Sequence, residues 1–156
     1  MDATFYTTNI VPQSPNANQR GWERLESYCR TLTKEHVLYI CCGPHGVGGE
    51  GKNGVAEEIG KGKVTVKVPA KLWKVILVLP SEDSAPRKNT RAIAVIMPND
   101  QSVDYDWVKY RVSVREVEKL TGYTFFPDIA PEVAREIKAD ADEVRVKLPK
   151  MKAGME

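Results

Sequence analysis

Two long apolar runs sit in the middle of this chain, "LWKVILVLP" at residues 72–80 and "RAIAVIMPN" at 91–99. Their β-branched content and the turn residues that bound them predict strands buried on both faces. The polar connection "SEDSAPRKNT" joins them, so they are expected at the centre of an antiparallel sheet. "HVLYICCG" at 36–43 reads as a further, fully buried strand. "KVTVKVP" at 63–69 alternates lysine with valine or threonine, the pattern of a strand with one wet face. "DWVKYRVS" at 106–113 predicts a last strand or a strand running into a turn, and "PHGVGGEGKNG" a glycine-rich hairpin or loop.

Helices are fewer. Residues 4–11 predict a short extended segment ended by Pro12, and 12–18 have loop chemistry. A helix is expected from Gln19 to Thr31, with Trp22, Leu25 and Cys29 as its apolar stripe and Asn16 or Asn18 as cap. Ser113-Val-Arg-Glu116 fits a capping box, Val114, Val117 and Leu120 supply a stripe behind it, and Gly122 closes that helix. The result is one α+β domain over residues 1–130, with a charged terminal helix or tail at 131–156.

Composition excludes little. A net charge of +2 is too mild to argue for nucleic acid. Cys41 and Cys42 are expected to be buried thiols, and no cysteine pair has zinc-finger spacing. No apolar stretch reaches the roughly 20 residues that span a bilayer. Met1-Asp2 with no apolar run behind it does not resemble a signal peptide, which leaves two readings, a protein of the cytosol or, given the abrupt entry into "ATFYTTNIVP", an artificial or truncated start. "GPHGVGGEGKNG" fails as a phosphate loop, because Lys52 is followed by Asn53 rather than a hydroxyl residue. His45 within it reads as a surface histidine. Lys61, Lys63, Lys67, Lys71 and Lys74 are either a solvated sheet face or a seat for a polyanion, and the sequence leaves both open.

The amides crowded into "TFYTTNIVPQSPNANQRGWERLESYCR" carry the chemistry. Asparagine presents a neutral oxygen ligand beside an NH₂ donor. Magnesium takes oxygen ligands and keeps several of its waters. Glu26 comes round to within about 80 degrees of the Asn18 face on an ideal helix, near enough to hydrogen-bond water on a metal. Arg30, four residues on, is placed to pair with Glu26 and reach a phosphate oxygen. A capped surface helix with an ordinary ion pair is the plainer alternative.

That segment resembles the active-site segment of the DNA/RNA non-specific endonucleases, the ββα-metal nucleases, and most of all their bacterial sugar-non-specific members; mitochondrial endonuclease G is a relative of that group. "YICCGP", "KVTVKVPAKLWKVILVL", "RAIAVIMPN" and "DWVKYRVSVREVEKLTGYTFF" follow in the family's order, so the resemblance covers about residues 3–127. It implies a ββα-metal (His-Me finger) fold and hydrolysis of phosphodiester bonds in DNA and RNA without sequence preference. By position, Asn18 falls on the magnesium-ligating asparagine, Glu26 on the glutamate that hydrogen-bonds metal-bound water, and Arg30 on an arginine near the phosphate. Asn9 and Gln13 fall on supporting amides. Mg²⁺ is the implied cofactor, with Mn²⁺ as a substitute, and the substrate is gripped through its phosphates.

One departure stands against the match. The family's general base is the histidine of an Asp-Arg-Gly-His motif ahead of this segment, and this sequence contains neither the motif nor a histidine before His36. The expectation is a fold short of its first strands and an endonuclease impaired for want of a base. The alternative is a catalytically inactive nucleic-acid-binding or protein-interaction remnant. Self-association, or complementation by a segment bearing the motif, is expected to cover the uncovered edge. The resemblance suggests a secreted or periplasmic protein.

Overall fold

The computed structural model describes residues 10–147. Asn9 and nearly all of the extended segment expected at 4–11 lie outside them. Four antiparallel strands form the main sheet: β1 is Val37–His45, β6 Lys71–Leu79, β7 Ala92–Pro98 and β8 Arg111–Val112, adjacent in that order. The two apolar runs are its centre, with Trp73 opposite Ile96 and Ile76 opposite Ile93.

The uninterrupted apolar character of β6 follows from cover on both faces. Leu72, Ile76 and Val78 pack with Ile93, Val95 and Met97 against Leu25 and Cys29 of helix α2, Glu23–Leu32, and against Trp107. Trp73 and Val75 face the other way, onto Val114 and Val117 of α3 (Val114–Thr121) and Phe125. Leu77 and Leu79 meet Ile137 of α4, Pro131–Ala139. Ser113 and Glu116 form the reciprocal capping box at the head of α3, and Gly122 ends it at φ 74°. The residues expected as a last strand split into a 3-10 turn at Trp107–Tyr110 followed by β8.

Three expectations need correction. "HVLYICCG" is a strand, but an edge strand rather than a fully buried one: among the described residues β1 pairs with β6 alone, and Tyr39, Ile40, Cys41 and Cys42 are exposed. Apolar content marked it as a strand; it could not say how many neighbours cover it. "KVTVKVP" does not lie on a sheet with one wet face either. It belongs to a projecting two-stranded arm, β4 (Glu58–Lys61) with β5 (Val64–Lys67), exposed along its whole length. A second small hairpin, β2 (Gly49–Gly51) with β3 (Gly54–Ala56), precedes it and forms the glycine-rich loop. Thirdly, the first helical run begins at Pro15, within residues that read as loop.

The described residues just after α4 are tied down. The Asp142 carboxylate is buried and receives Arg91 Nη2 at 2.8 Å and Arg111 Nη1 at 3.1 Å, fastening the chain across the starts of β7 and β8.

Candidate active site

Ser14 starts the helical run. Its hydroxyl accepts from Ala17 N–H at 3.0 Å, and Pro15 at the first helical position supplies a preset φ. Asn16 is therefore no cap; its side-chain NH₂ donates to Gln101 O at 2.7 Å instead. Asn99, fully buried at the end of β7, anchors this start. Its Oδ1 accepts from Ser14 N–H at 2.7 Å, while its Nδ2 donates to Pro12 O at 3.0 Å and Pro69 O at 2.8 Å. Ser14 Oγ also donates to Asp100 O at 2.6 Å. The segment carrying the amides is thus pinned to the end of the sheet by side-chain bonds rather than by pairing.

The helical run then does something that periodicity does not show. Between α1 (Pro15–Ala17) and α2, residues Asn18–Trp22 form a π-helical turn, in which Glu23 N–H reaches back to Asn18 O. Gly21 fits there because a Cβ on it would lie 3.0 Å from Val103 Cγ1 and 3.1 Å from Asp104 O. A π-turn advances each residue by less than the α-helical angle, which narrows the offset of about 80 degrees that an ideal helix puts between Asn18 and Glu26. Asn18 is exposed, and its amide makes no hydrogen bond among the described residues.

Glu26 does not pair with Arg30. Arg30 is exposed, donating to Ser27 Oγ at 2.8 Å and lying 3.5 Å from Glu23 Oε1. Glu26 Oε1 instead accepts from Lys74 Nζ at 3.3 Å, and Lys74 is buried, only 5% of its side chain exposed. Its ammonium stands 4.2 Å from the centre of the Trp22 ring. Lys74 therefore belongs neither to a solvated face nor to a polyanion seat; the sheet turns it inward, in register with Cys42 and Val95 under α2. A lone lysine inside an apolar run was the available signal. Burial pushes the Cys29 thiol up, outweighing the pull of Lys74 in the other direction, so it is no activated nucleophile.

Lys74 has no other carboxylate among the described residues. Removing Glu26 therefore strands a buried cation. Glu26→Ala is expected to lower stability by about 1–3 kcal/mol, below the full cost of a broken buried pair because Glu26 is itself 43% exposed. Urea unfolding checks this, with Glu26→Ala combined with Lys74→Met expected to be more stable than Glu26→Ala alone.

Gln13 lies in a groove lined by Lys52 and Asn53 of the first hairpin's turn and Ile59 of β4. Neither histidine joins Asn18. His45 is opposite Lys71 at the end of β1, and strand alternation gives it the Trp73 face, away from α2. His36 precedes β1 at the other end of the sheet, in a cavity with Arg87 and Arg91, its Nδ1 buried without a partner among the described residues. No three His, Cys, Asp or Glu side chains group to cage a metal among the described residues. A cation held beside Asn18 would keep most of its water.

A family model described as DNA/RNA non-specific endonuclease matches residues 1–132. The nuclease of Nostoc sp. is 42% identical over 144 residues, covering 90% of this chain and 49% of that protein. Mitochondrial nuclease EXOG of Xenopus laevis is 35% identical, covering 94% of this chain and 41% of its own length. Human mitochondrial endonuclease G is 32% identical, covering 83% and 43%. The chain spans about half the length of these curated relatives or somewhat less. On the extent of the family match and these identities, the chain belongs to the DNA/RNA non-specific endonuclease family.

Proposed function

We propose that this chain carries the metal-holding and phosphate-facing part of a Mg²⁺-dependent endonuclease that cuts DNA and RNA without sequence preference, in the ββα-metal manner. The observation that supports the reading is Glu26 held by the buried Lys74 on the helical run that follows the exposed, unengaged amide of Asn18 and its π-turn. The donor chemistry fits the ion. Asn18 offers an unengaged neutral oxygen, and Lys74 occupies only one oxygen of Glu26. Asn18 would hold Mg²⁺ directly, and Glu26 would accept hydrogen bonds from water on it. Bound Mg²⁺ supplies positive charge to the phosphate and the leaving oxygen.

The chain's own groups do the rest. Arg30, exposed on the same helix, would take a phosphate oxygen, and the amides of Gln13 and Asn9 would hold the substrate backbone. The water-activating base is the part these residues do not provide, since His36 and His45 both lie off the Asn18 flank. The same observation favours a second reading, a catalytically silent nucleic-acid-binding or protein-interaction unit. Self-association, or pairing with a segment that bears the base, would take place at the open edge of β1, where Tyr39 and Ile40 are exposed.

Metal titration separates the residues. Asn18→Ala is expected to abolish Mg²⁺ binding, read by calorimetry or by Mn²⁺ paramagnetic broadening, with stability changed by less than about 0.5 kcal/mol. Glu26→Gln, which keeps an acceptor for Lys74, is expected to weaken binding roughly 10- to 100-fold. Unchanged affinity in Asn18→Ala would sink the assignment.

A further inference from the structure

The excursion between β1 and β6 is a built arm, not a slack loop. Its root is closed by Gly48 N–H donating to Val68 O at 2.8 Å, Val68 N–H to Glu57 O at 2.7 Å and Glu50 N–H to Asn99 O at 2.9 Å. Gly49 has backbone atoms against it there, since a Cβ would sit 2.8 Å from Asn99 O and 2.9 Å from Pro69 O. Beyond the root, Gly60 at φ 143° shapes the β4–β5 ribbon; a Cβ on it would fall 2.1 Å from Val64 O.

The ribbon's two faces differ in chemistry. Cross-strand pairing puts Glu58 and Lys67 on one face, where they form an ion pair that raises the lysine and lowers the carboxylate through their mutual hydrogen bond. Glu57 adds its charge near Lys67. The other face carries Ile59 opposite Val66 and Lys61 opposite Val64; alternation puts Glu57 on it only at the root, so the lysines stand toward the tip. Val64 is 75% exposed, and Lys63 stands in the turn. Lys61 and Lys63 have no ion partner among the described residues. This face adjoins the candidate site, because Ile59 lines the groove that contains Gln13. Glu50 also lines that groove, so the positive charge is concentrated toward the ribbon's tip.

We propose that the β4–β5 arm is a two-stranded ribbon that enters a groove of a nucleic-acid duplex, Lys61 and Lys63 meeting phosphates while Ile59, Val64 and Val66 lie against the sugars. The inference rests on the endonuclease reading and names how its substrate is gripped. A two-stranded ribbon fits the major groove of B-DNA. Charge complementarity selects the polyanion, and the apolar residues carry no donor or acceptor with which to read base edges, so the grip is independent of sequence.

The test is duplex binding by the chain with EDTA present, read as fluorescence anisotropy of a labelled blunt duplex across a salt series. Each lysine that neutralises one phosphate contributes about 0.9 to the slope of log K against log salt. Lys61→Ala and Lys63→Ala are each expected to flatten the slope by about 0.9, and together by about 1.8. Val64→Ser is expected to weaken binding with the slope unchanged. Lys67→Ala, whose ammonium is engaged by Glu58, is expected to leave the slope as it was. A double lysine variant with the parent slope overturns the proposal, as does an equal effect of Lys67→Ala, which would mean net charge alone. Sedimentation showing this face buried between protein copies also overturns it. A parent chain that binds no duplex at all defeats the endonuclease reading itself, whereas binding with unaltered slopes defeats only the arm.

Discussion

Supercoiled plasmid incubated with this chain and Mg²⁺ is expected to be nicked 10²- to 10⁴-fold more slowly than by the same chain joined to an Asp-Arg-Gly-His segment from a relative, the usual worth of a positioned general base. Attack on a phosphodiester needs a base about 2.6–3.2 Å from the nucleophilic water, or one water removed. On this chain His45 takes the α3 face of the sheet and His36 the far end, so neither is within that reach of Asn18. On the proposed reading Asn18, Glu26 and Arg30 would still hold metal and phosphate, so a slow residual rate is expected. Gel conversion of supercoiled to open-circular plasmid measures both forms. Comparable rates, with the activity of the given chain lost in His45→Ala, would refute the argument.

Asn99→Ala is expected to cost about 3–5 kcal/mol of unfolding free energy, a large share of the 5–15 kcal/mol typical of a domain. The carboxamide is fully buried and makes three hydrogen bonds that no other side chain can replace. Truncation leaves Ser14 N–H and Pro69 O without partners in the interior, at about 1–3 kcal/mol each, and opens a cavity. Asn99→Asp is the sharper variant. It keeps the acceptor for Ser14 N–H but turns a carboxylate oxygen onto the carbonyls of Pro12 and Pro69, so it is expected to be at least as damaging. Guanidinium unfolding measures both. A loss below about 1 kcal/mol in either variant would show that the helix start is held by other means.

Strands β6 and β7 were legible in the sequence because cover on both faces demands an unbroken apolar run, and a run that short and that β-branched fits poorly anywhere but mid-sheet. The head and tail of α3 were legible because capping is local: Ser113, Glu116 and Gly122 act within one or two turns of the chain. The Asn99 clamp was not, since its partners Ser14 and Pro69 are distant in sequence and an asparagine after a strand reads equally well as a turn residue. The π-turn was hidden for a related reason. It is accommodated by Gly21 meeting Val103 and Asp104, contacts that do not exist until the helix is docked. The ion partner expected for Glu26 was wrong: Arg30 is the local candidate, while Lys74 becomes available only when the sheet turns it inward. Charge by itself says nothing of depth.

The π-turn at Asn18–Trp22 has a bearing on how this stretch tolerates change in length. A π-turn holds an extra residue in a helix that otherwise keeps ordinary spacing. Deleting one residue between Asn18 and Trp22 would let the run relax to a plain α-helix without unwinding it, and helix content measured by circular dichroism would scarcely register the loss. The two ends would stay nearly in step, because seven residues at about 100 degrees each bring Glu26 to within about 20 degrees of Asn18. Ser14, fixed to Asn99 at one end, and Leu25, packed in the core at the other, would both keep their seats. The spare residue is therefore slack taken up between two fixed mounts, and Asn18 would face nearly the same way as Glu26 with or without it.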